Sequence, residues 1–151
     1  MRRGLIIAFN KWDAVARGET PDLSLLGERY PFLSFAPVLN VSGLTGRNLS
    51  QIFRHIETVR SWYYRRIGTS DLNRVILPVM AQTPPPRLKT GAVRVYYATQ
   101  VQIAPTVIHL FSNRPDGLTP TYLQFLTRKI RDKFPFTGVP FLLKPRGKKE
   151  D

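Results

Sequence analysis

The run Leu5-Ile6-Ile7-Ala8-Phe9 is apolar at five consecutive positions and then stops at Asn10. A run that short and without alternation suits a strand buried on both faces, as in a parallel sheet covered by helices. Val38-Leu39-Asn40-Val41 reads as a second such strand. Between them, Pro21 opens a segment with Leu23, Leu25, Leu26, Tyr30 and Leu33, which predicts a helix. After the second strand, Ser42-Gly43-Leu44-Thr45-Gly46 is a loop of turn formers. Ile52, Ile56, Val59 and Tyr63 then follow at helical spacing, with Ser50 as the expected cap. Residues 1–66 therefore read β-loop-α-β-loop-α, a piece of a parallel α/β sheet.

The remainder reads differently. Thr69 or Ser70 is expected to cap a helix carrying Leu72, Val75, Ile76, Val79 and Met80. Pro78 should bend it or end it early, because proline removes an amide donor and clashes with the carbonyl of Arg74. Pro84-Pro85-Pro86 imposes an extended turn. Val93, Val95, Tyr97, Thr99 and Val101 alternate with Arg94, Tyr96, Ala98 and Gln100, a strand pattern. Residues 102–105 turn the chain into a second strand over 106–111. Thr119-Pro120 places a cap and an N1 proline before Tyr122, Leu126, Ile130 and Phe134, one face of a helix. Residues 138–144 supply a last strand. Residues 67–151 thus form a small α+β unit in the order α-β-β-α-β, with a basic tail.

The chain has 151 residues and no cysteine, which excludes disulfides, zinc–cysteine sites and thiol nucleophiles. That composition fits a reducing cytoplasm. No apolar stretch approaches the roughly 18 residues of a membrane span. The formal net charge is +13, which favours a polyanionic partner, RNA first. Its distribution is uneven. Residues 1–59 carry seven basic and five acidic groups, net +2; residues 60–151 carry sixteen and five, net +11. Two units with different roles are implied.

Both early loops follow strands, and in an open parallel sheet ligands bind beyond the carboxyl ends of the strands. The first loop is Asn10-Lys11-Trp12-Asp13. The Asp13 carboxylate can accept from the N1–H and 2-amino group of guanine, a donor pair that adenine lacks. Asn10 can serve the other edge of the base and brace the neighbouring loops, and the aliphatic stem of Lys11 can lie over the ring. In the second loop the amides of Ser42, Gly43 and Leu44 can donate to the guanine O6. Ser42 has no histidine near it and no elbow pattern, so no catalytic residue is assigned. With His55 on a helix, His109 in a strand and no cysteine, no metal site is assigned either.

This pairing resembles the base-recognition motifs of translation-factor-type P-loop GTPases. The resemblance extends further. Tyr30-Pro31-Phe32-Leu33, Ala36-Pro37-Val38, Ser42-Gly43-Leu44-Thr45-Gly46, Thr69-Ser70-Asp71-Leu72-Asn73-Arg74, Pro84-Pro85-Pro86, Tyr96-Tyr97-Ala98-Thr99-Gln100-Val101 and Gly138-Val139-Pro140 look like the C-terminal part of the EngA/Der family. These are bacterial GTPases with two tandem G domains and a KH-like domain. The resemblance implies the guanine-recognition half of the second G domain in residues 1–66 and the KH-like domain in 67–151. It also implies GTP or GDP as ligand and the large ribosomal subunit and its RNA as partner, with no membrane. Gly43 stands where the family usually has alanine.

The sequence holds no Gly-x-x-x-x-Gly-Lys-Ser/Thr loop, no Asp-x-x-Gly motif and no switch threonine. Phosphoryl transfer depends on those parts. The chain alone is therefore expected to bind guanine nucleotide weakly or not at all and to lack GTPase activity. Magnesium would serve only the full-length protein, whose upstream G-domain segments are the expected partner of this piece. The alternative is a free-standing basic RNA-binding module with a vestigial half G domain.

Gly43-Leu44-Thr45-Gly46 matches the Gly-x-x-Gly of nucleic-acid-binding KH domains but sits in the wrong unit. The α+β unit is instead expected to meet RNA phosphates through Arg87, Lys89, Arg94, Arg128, Lys129, Arg131 and Lys133. Lys129 and Lys133 share a helix face, flanked by Arg128 and Arg131. The strand aromatics Tyr96, Tyr97 and Phe111 could stack on bases, but strand aromatics more often fill a core.

Overall fold

A computed structural model describes residues 3–15, 28–89 and 91–147. The chain divides into two compact units. One is Met1–Tyr64 with Phe136–Pro140; the other is Arg65–Pro135 with Phe141–Asp151.

In the first unit, β1 (Ile7–Phe9) and β2 (Val38–Asn40) pair in parallel, with Ile7 opposite Val38 and Phe9 opposite Asn40. The pair is less enclosed than the apolar runs imply. Ala8 and Val38 are exposed, while Leu39 and Val41 are buried. Neither strand is buried along its whole length. The helix α1 (Leu49–Tyr63) turns Val59 inward. It begins one residue before Ser50, which is not its cap. Asn48 stands at the N-cap with φ 59° and sends its side-chain amide to the Asn40 carbonyl at 2.8 Å instead. The helix expected over residues 21–33 lies largely outside the described residues. Glu28 and Arg29 are helical, but Pro31–Leu33 is one 3-10 turn. Pro31 explains the break, since it drives Tyr30 out of the helical region to φ −131°, ψ 69°.

Phe136–Pro140 completes this unit. Phe136 and Val139 are fully buried, and the Phe136 ring packs against Trp62 with centroids 5.4 Å apart. Gly138 donates to the Phe35 carbonyl and accepts from the Leu5 amide, both at 2.7 Å. Its φ is +69°, and a Cβ there would lie 2.3 Å from Val59 Cγ2 and 2.8 Å from the Leu5 carbonyl oxygen.

The second unit is a three-stranded sheet with two helices, α2 (Thr69–Gln82) and α3 (Pro120–Lys133). β3 (Val95–Gln102) and β4 (Thr106–Ser112) form an antiparallel hairpin; β4 and β5 (Phe141–Gly147) run parallel. Leu72, Ile76, Leu126, Ile130, Ala98, Ile108 and Leu110 fill the core between helices and sheet. Thr119 caps α3 by accepting from the Tyr122 amide, with Pro120 at the first position, as the sequence leads one to expect.

Three expectations are corrected. α2 starts at Thr69 with Gly68 at its N-cap, so neither Thr69 nor Ser70 caps it; the Thr69 hydroxyl bonds Thr99 Oγ1 at 3.0 Å. α2 also runs on past Pro78 to Gln82. Pro78 and Arg74 are both exposed, so the bond that proline removes is lost at a solvated position. The last strand begins at Phe141 rather than Gly138, because Phe136–Pro140 belongs to the first unit.

Gly138 should therefore tolerate no side chain. Gly138→Ala is expected to destabilise the protein by about 3 kcal/mol, through a positive φ and a clash with backbone together. Urea unfolding followed by Trp62 fluorescence measures it, and a loss near zero would contradict the packing described.

Candidate functional site

The register of β1 on β2 brings two loops to one sheet edge. The Val41 amide bonds the Phe9 carbonyl at 2.8 Å, and the Trp12 amide bonds the Val41 carbonyl at 3.1 Å. From there the chain turns sharply. Lys11 takes a left-handed conformation, φ 61°, and a single 3-10 turn, Trp12–Ala14, carries Asp13 back toward the second loop.

Side chains lock the loops together. Asn10 Oδ1 accepts from the Lys11 amide at 2.8 Å and from the Gly43 amide at 3.0 Å. Ser42 is fully buried. Its hydroxyl accepts from the Thr45 amide at 3.1 Å and donates to Asp13 Oδ1. One carboxylate oxygen is thereby oriented by a buried group while Asp13 itself stays exposed. A preset carboxylate loses less freedom when it accepts hydrogen bonds from a ligand.

The three amides of the second loop are not equivalent. The Ser42 amide donates to the Arg47 carbonyl at 3.1 Å and that of Gly43 to Asn10. Among the described residues, only the Leu44 amide of these three has no partner, and its side chain is 86% exposed. The sequence names all three; the fold leaves one free. Among the described residues, no group of three or more acidic or histidine side chains is placed to hold a metal.

The cations of the second unit are scattered. Arg87, Lys89 and Arg94 precede or open β3 and are exposed. Arg128, Lys129 and Lys133 are exposed on α3. Lys129 and Lys133 line a groove of about 600 Å³ between α2 and α3, floored by Val75, Val79 and Phe134. Lys129 pairs with Asp132 at 3.9 Å, and Arg74 across the groove pairs with Asp71 at 3.4 Å. Arg131 is drawn inward instead. It donates to the Pro135 carbonyl at 2.8 Å, lies 4.9 Å from the Phe141 ring, and burial lowers its pKa to about 10, which leaves it charged at neutral pH.

Two features escaped the sequence reading. Tyr96 and Tyr97 are 48% and 42% exposed rather than core. Lys144 and Arg146, two apart on β5, share one face of the sheet. The i, i+2 spacing of those cations is the available signal, but the expected last strand stops at residue 144 and leaves Arg146 outside it.

Residues 66–146 match the family described as the KH-domain-like region of EngA bacterial GTPase enzymes, C-terminal. The chain belongs to this family. It is 39% identical over 147 residues to the GTPase Der of Campylobacter concisus, which covers 97% of this chain and 32% of that protein. The GTPase Der of Helicobacter hepaticus is 39% identical over 145 residues, covering 96% of this chain and 30% of its own. That of Moorella thermoacetica is 38% identical over 144 residues, 93% and 33% respectively. This EngA-type chain spans about a third of the length of the curated relatives it matches. Its mixed α/β architecture, a parallel strand pair followed by a KH-like α-β-β-α-β unit, agrees with the family. Among its described residues no helix is long and apolar enough to cross a membrane.

Gly43 does not need to be glycine. Its φ is not left-handed, and a Cβ would meet Asn10 Oδ1 at 3.7 Å, an ordinary contact. Gly43→Ala should leave the loop geometry intact and stabilise the protein by about 0.5 kcal/mol by restricting the unfolded chain. Thermal unfolding checks this; a lowered midpoint would mean the loop conformation differs from that described.

Proposed function

We propose that this EngA-type chain supplies the guanine-reading half of a G domain and the ribosome-contacting KH-like domain of a GTP-binding factor in large-subunit assembly. The observation that carries the reading is the Ser42–Asp13 hydrogen bond, which presets an exposed carboxylate, while the facing loop keeps the Leu44 amide without a partner among the described residues. Asp13 would accept from the guanine N1–H and 2-amino group. The Leu44 amide would donate to O6. Asn10, whose oxygen is spent on bracing, keeps its amino group for the base, and the Lys11 stem covers the ring. Adenine reverses the donor at N1 and lacks the 2-amino group, so it leaves Asp13 unpaired.

The ligand of this reading is GTP or GDP. The phosphate loop and magnesium ligands, which these 151 residues do not contain, would come from the G-domain segments of the same protein. Nucleotide binding by this chain alone is therefore weak, and a cytoplasmic, RNA-rich setting fits its net charge of +13.

Titration of the chain with guanosine, adenosine and xanthosine, read by amide chemical shifts, tests the base reading. Guanosine should move the Asp13 and Leu44 signals; adenosine should not. Asp13→Asn should lower the guanosine response at least about tenfold and raise that to xanthosine, whose 2-oxo group needs a donor. Equal responses to guanosine and adenosine would end the proposal.

For RNA, the exposed cations Arg87, Lys89, Arg94, Arg128, Lys129 and Lys133 are assigned to ribosomal RNA phosphates, with Arg131 supporting α3 from within. Binding to a base-paired ribosomal RNA hairpin should fall steeply with salt. Lys129→Gln with Lys133→Gln should flatten the log–log slope by about 2. A slope unchanged by both substitutions would remove α3 from the interface.

A further inference from the structure

The sheet of the KH-like unit has one face packed on helices and one face open. Ala98, Ile108, Leu110 and Leu143 point to the helices and are buried. The alternate positions form two rows across the three strands. Tyr97 stands opposite Phe111, and Phe111 opposite Arg146; Thr99 stands opposite His109, and His109 opposite Lys144. Residues opposite one another on neighbouring strands share a face. The Tyr97 and Phe111 rings are stacked, centroids 4.5 Å apart and 16° from parallel, and His109 meets Phe111 edge-on at 6.1 Å. Tyr97 is 42% exposed, and Lys144 and Arg146 are exposed.

Among the described strand residues, this face carries aromatic rings and cations and no carboxylate. Neither Lys144 nor Arg146 has an ion pair among the described residues. The imidazole between them feels this: burial first, then the charges of Arg146 and Lys144, hold His109 below its ordinary pKa. Two unanswered cations and a neutral imidazole beside an exposed ring stack are a good arrangement for an anion with flat faces.

We propose that this open sheet face binds single-stranded RNA, with bases stacking on the Tyr97–Phe111 pair and Lys144 and Arg146 holding successive phosphates. Stacking on aromatic side chains and backbone contact by cations are the two components of single-strand recognition. Lys144 and Arg146 lie about 6.7 Å apart along their strand, the scale of one nucleotide step. A duplex keeps its base faces covered and could not use the rings. A neutral His109 offers one donor and one acceptor, which suits a ribose 2′-hydroxyl and separates RNA from DNA. The site is separate from the α3 cations and shares with that reading only the kind of polymer bound.

The test uses the whole chain and three fluorescein-labelled probes: an eight-nucleotide pyrimidine RNA, the same sequence as DNA, and a fully paired RNA hairpin. Tyr97→Leu should weaken the single-stranded RNA about tenfold and leave the hairpin unchanged. Lys144→Gln with Arg146→Gln should flatten the single-strand salt slope by about 1.4. Lys129→Gln with Lys133→Gln should affect the hairpin alone. In the unaltered protein, single-stranded RNA should shift the amides of Tyr97, Thr99, His109 and Phe111, a measurement that needs no variant to fold. Hairpin binding without single-strand binding overturns this proposal and spares the α3 reading; the converse does the opposite. Shifts confined to α3, or a Tyr97→Leu affinity within about twofold of the parent, overturn it. DNA bound as tightly as RNA overturns the assignment to RNA.

Discussion

The candidate base site depends on one pairing, the parallel register of Ile7–Phe9 on Val38–Asn40. Because Phe9 lies opposite Asn40, the strands end together, and Asn10 and Ser42 leave the sheet at the same edge. Everything after that is short-range. A left-handed Lys11 turns the first loop, the Asn10 oxygen holds two amides, and Ser42 ties Thr45 to Asp13. A slip of one residue would reverse the facing of every side chain on one strand and separate Asp13 from Ser42. Two strands of three residues are too few to hold a register by themselves. The Trp12–Val41 and Val41–Phe9 bonds beyond the ladder, and the Asn48 side chain on the Asn40 carbonyl, extend it.

The second source of support for that unit comes from far along the chain. Phe136 fills its core against Trp62, and Gly138 bridges Leu5 and Phe35 by hydrogen bonds on both sides. Leu5 leads directly into β1, so the entry of the site-forming strand is fixed by a residue 133 positions later. Phe136 itself sits at φ 47°, in a region costly for a residue with a side chain. Its complete burial and the ring contact offset that cost.

This explains what was legible in the sequence and what was not. The strand and helix periods are local, so β1, β2, α1, α2, the hairpin and α3 were readable from residue types alone. Thr119-Pro120 marked its helix start correctly because a cap and an N1 proline act within three residues. Asn10, Asp13 and Ser42 were readable because their spacing follows strand ends. Cap positions that depend on longer contacts were not: Asn48 displaced Ser50 through its bond to Asn40, and Thr69 gave up capping for Thr99. The role of Gly138 was invisible, since its partners are 133 and 103 residues away. Tyr97 looked like core because alternation identifies two faces but cannot say which one the helices cover.

That last ambiguity was settled by polar groups rather than apolar ones. Asn73 on α2 accepts from the Ala98 amide at 2.7 Å and donates to the Ala98 carbonyl at 3.0 Å, so a side chain occupies both backbone groups on the outer edge of β3. Gln100, buried beside it, accepts from the Ile67 amide at 2.7 Å and donates to the Arg65 carbonyl at 3.1 Å. These bonds fix α2 over the Ala98–Gln100 side and close the strand edge against further pairing. Tyr97 must then face away, while Thr99 reaches the first residue of α2 through its bond to Thr69. The charges follow the same division. Asp71 and Asp132 answer Arg74 and Lys129 on the helix side. Among the described residues, Lys144 and Arg146 on the other face have no such answer. The polar edge that organises the fold thus also decides which sheet face keeps its cations unanswered among the described residues.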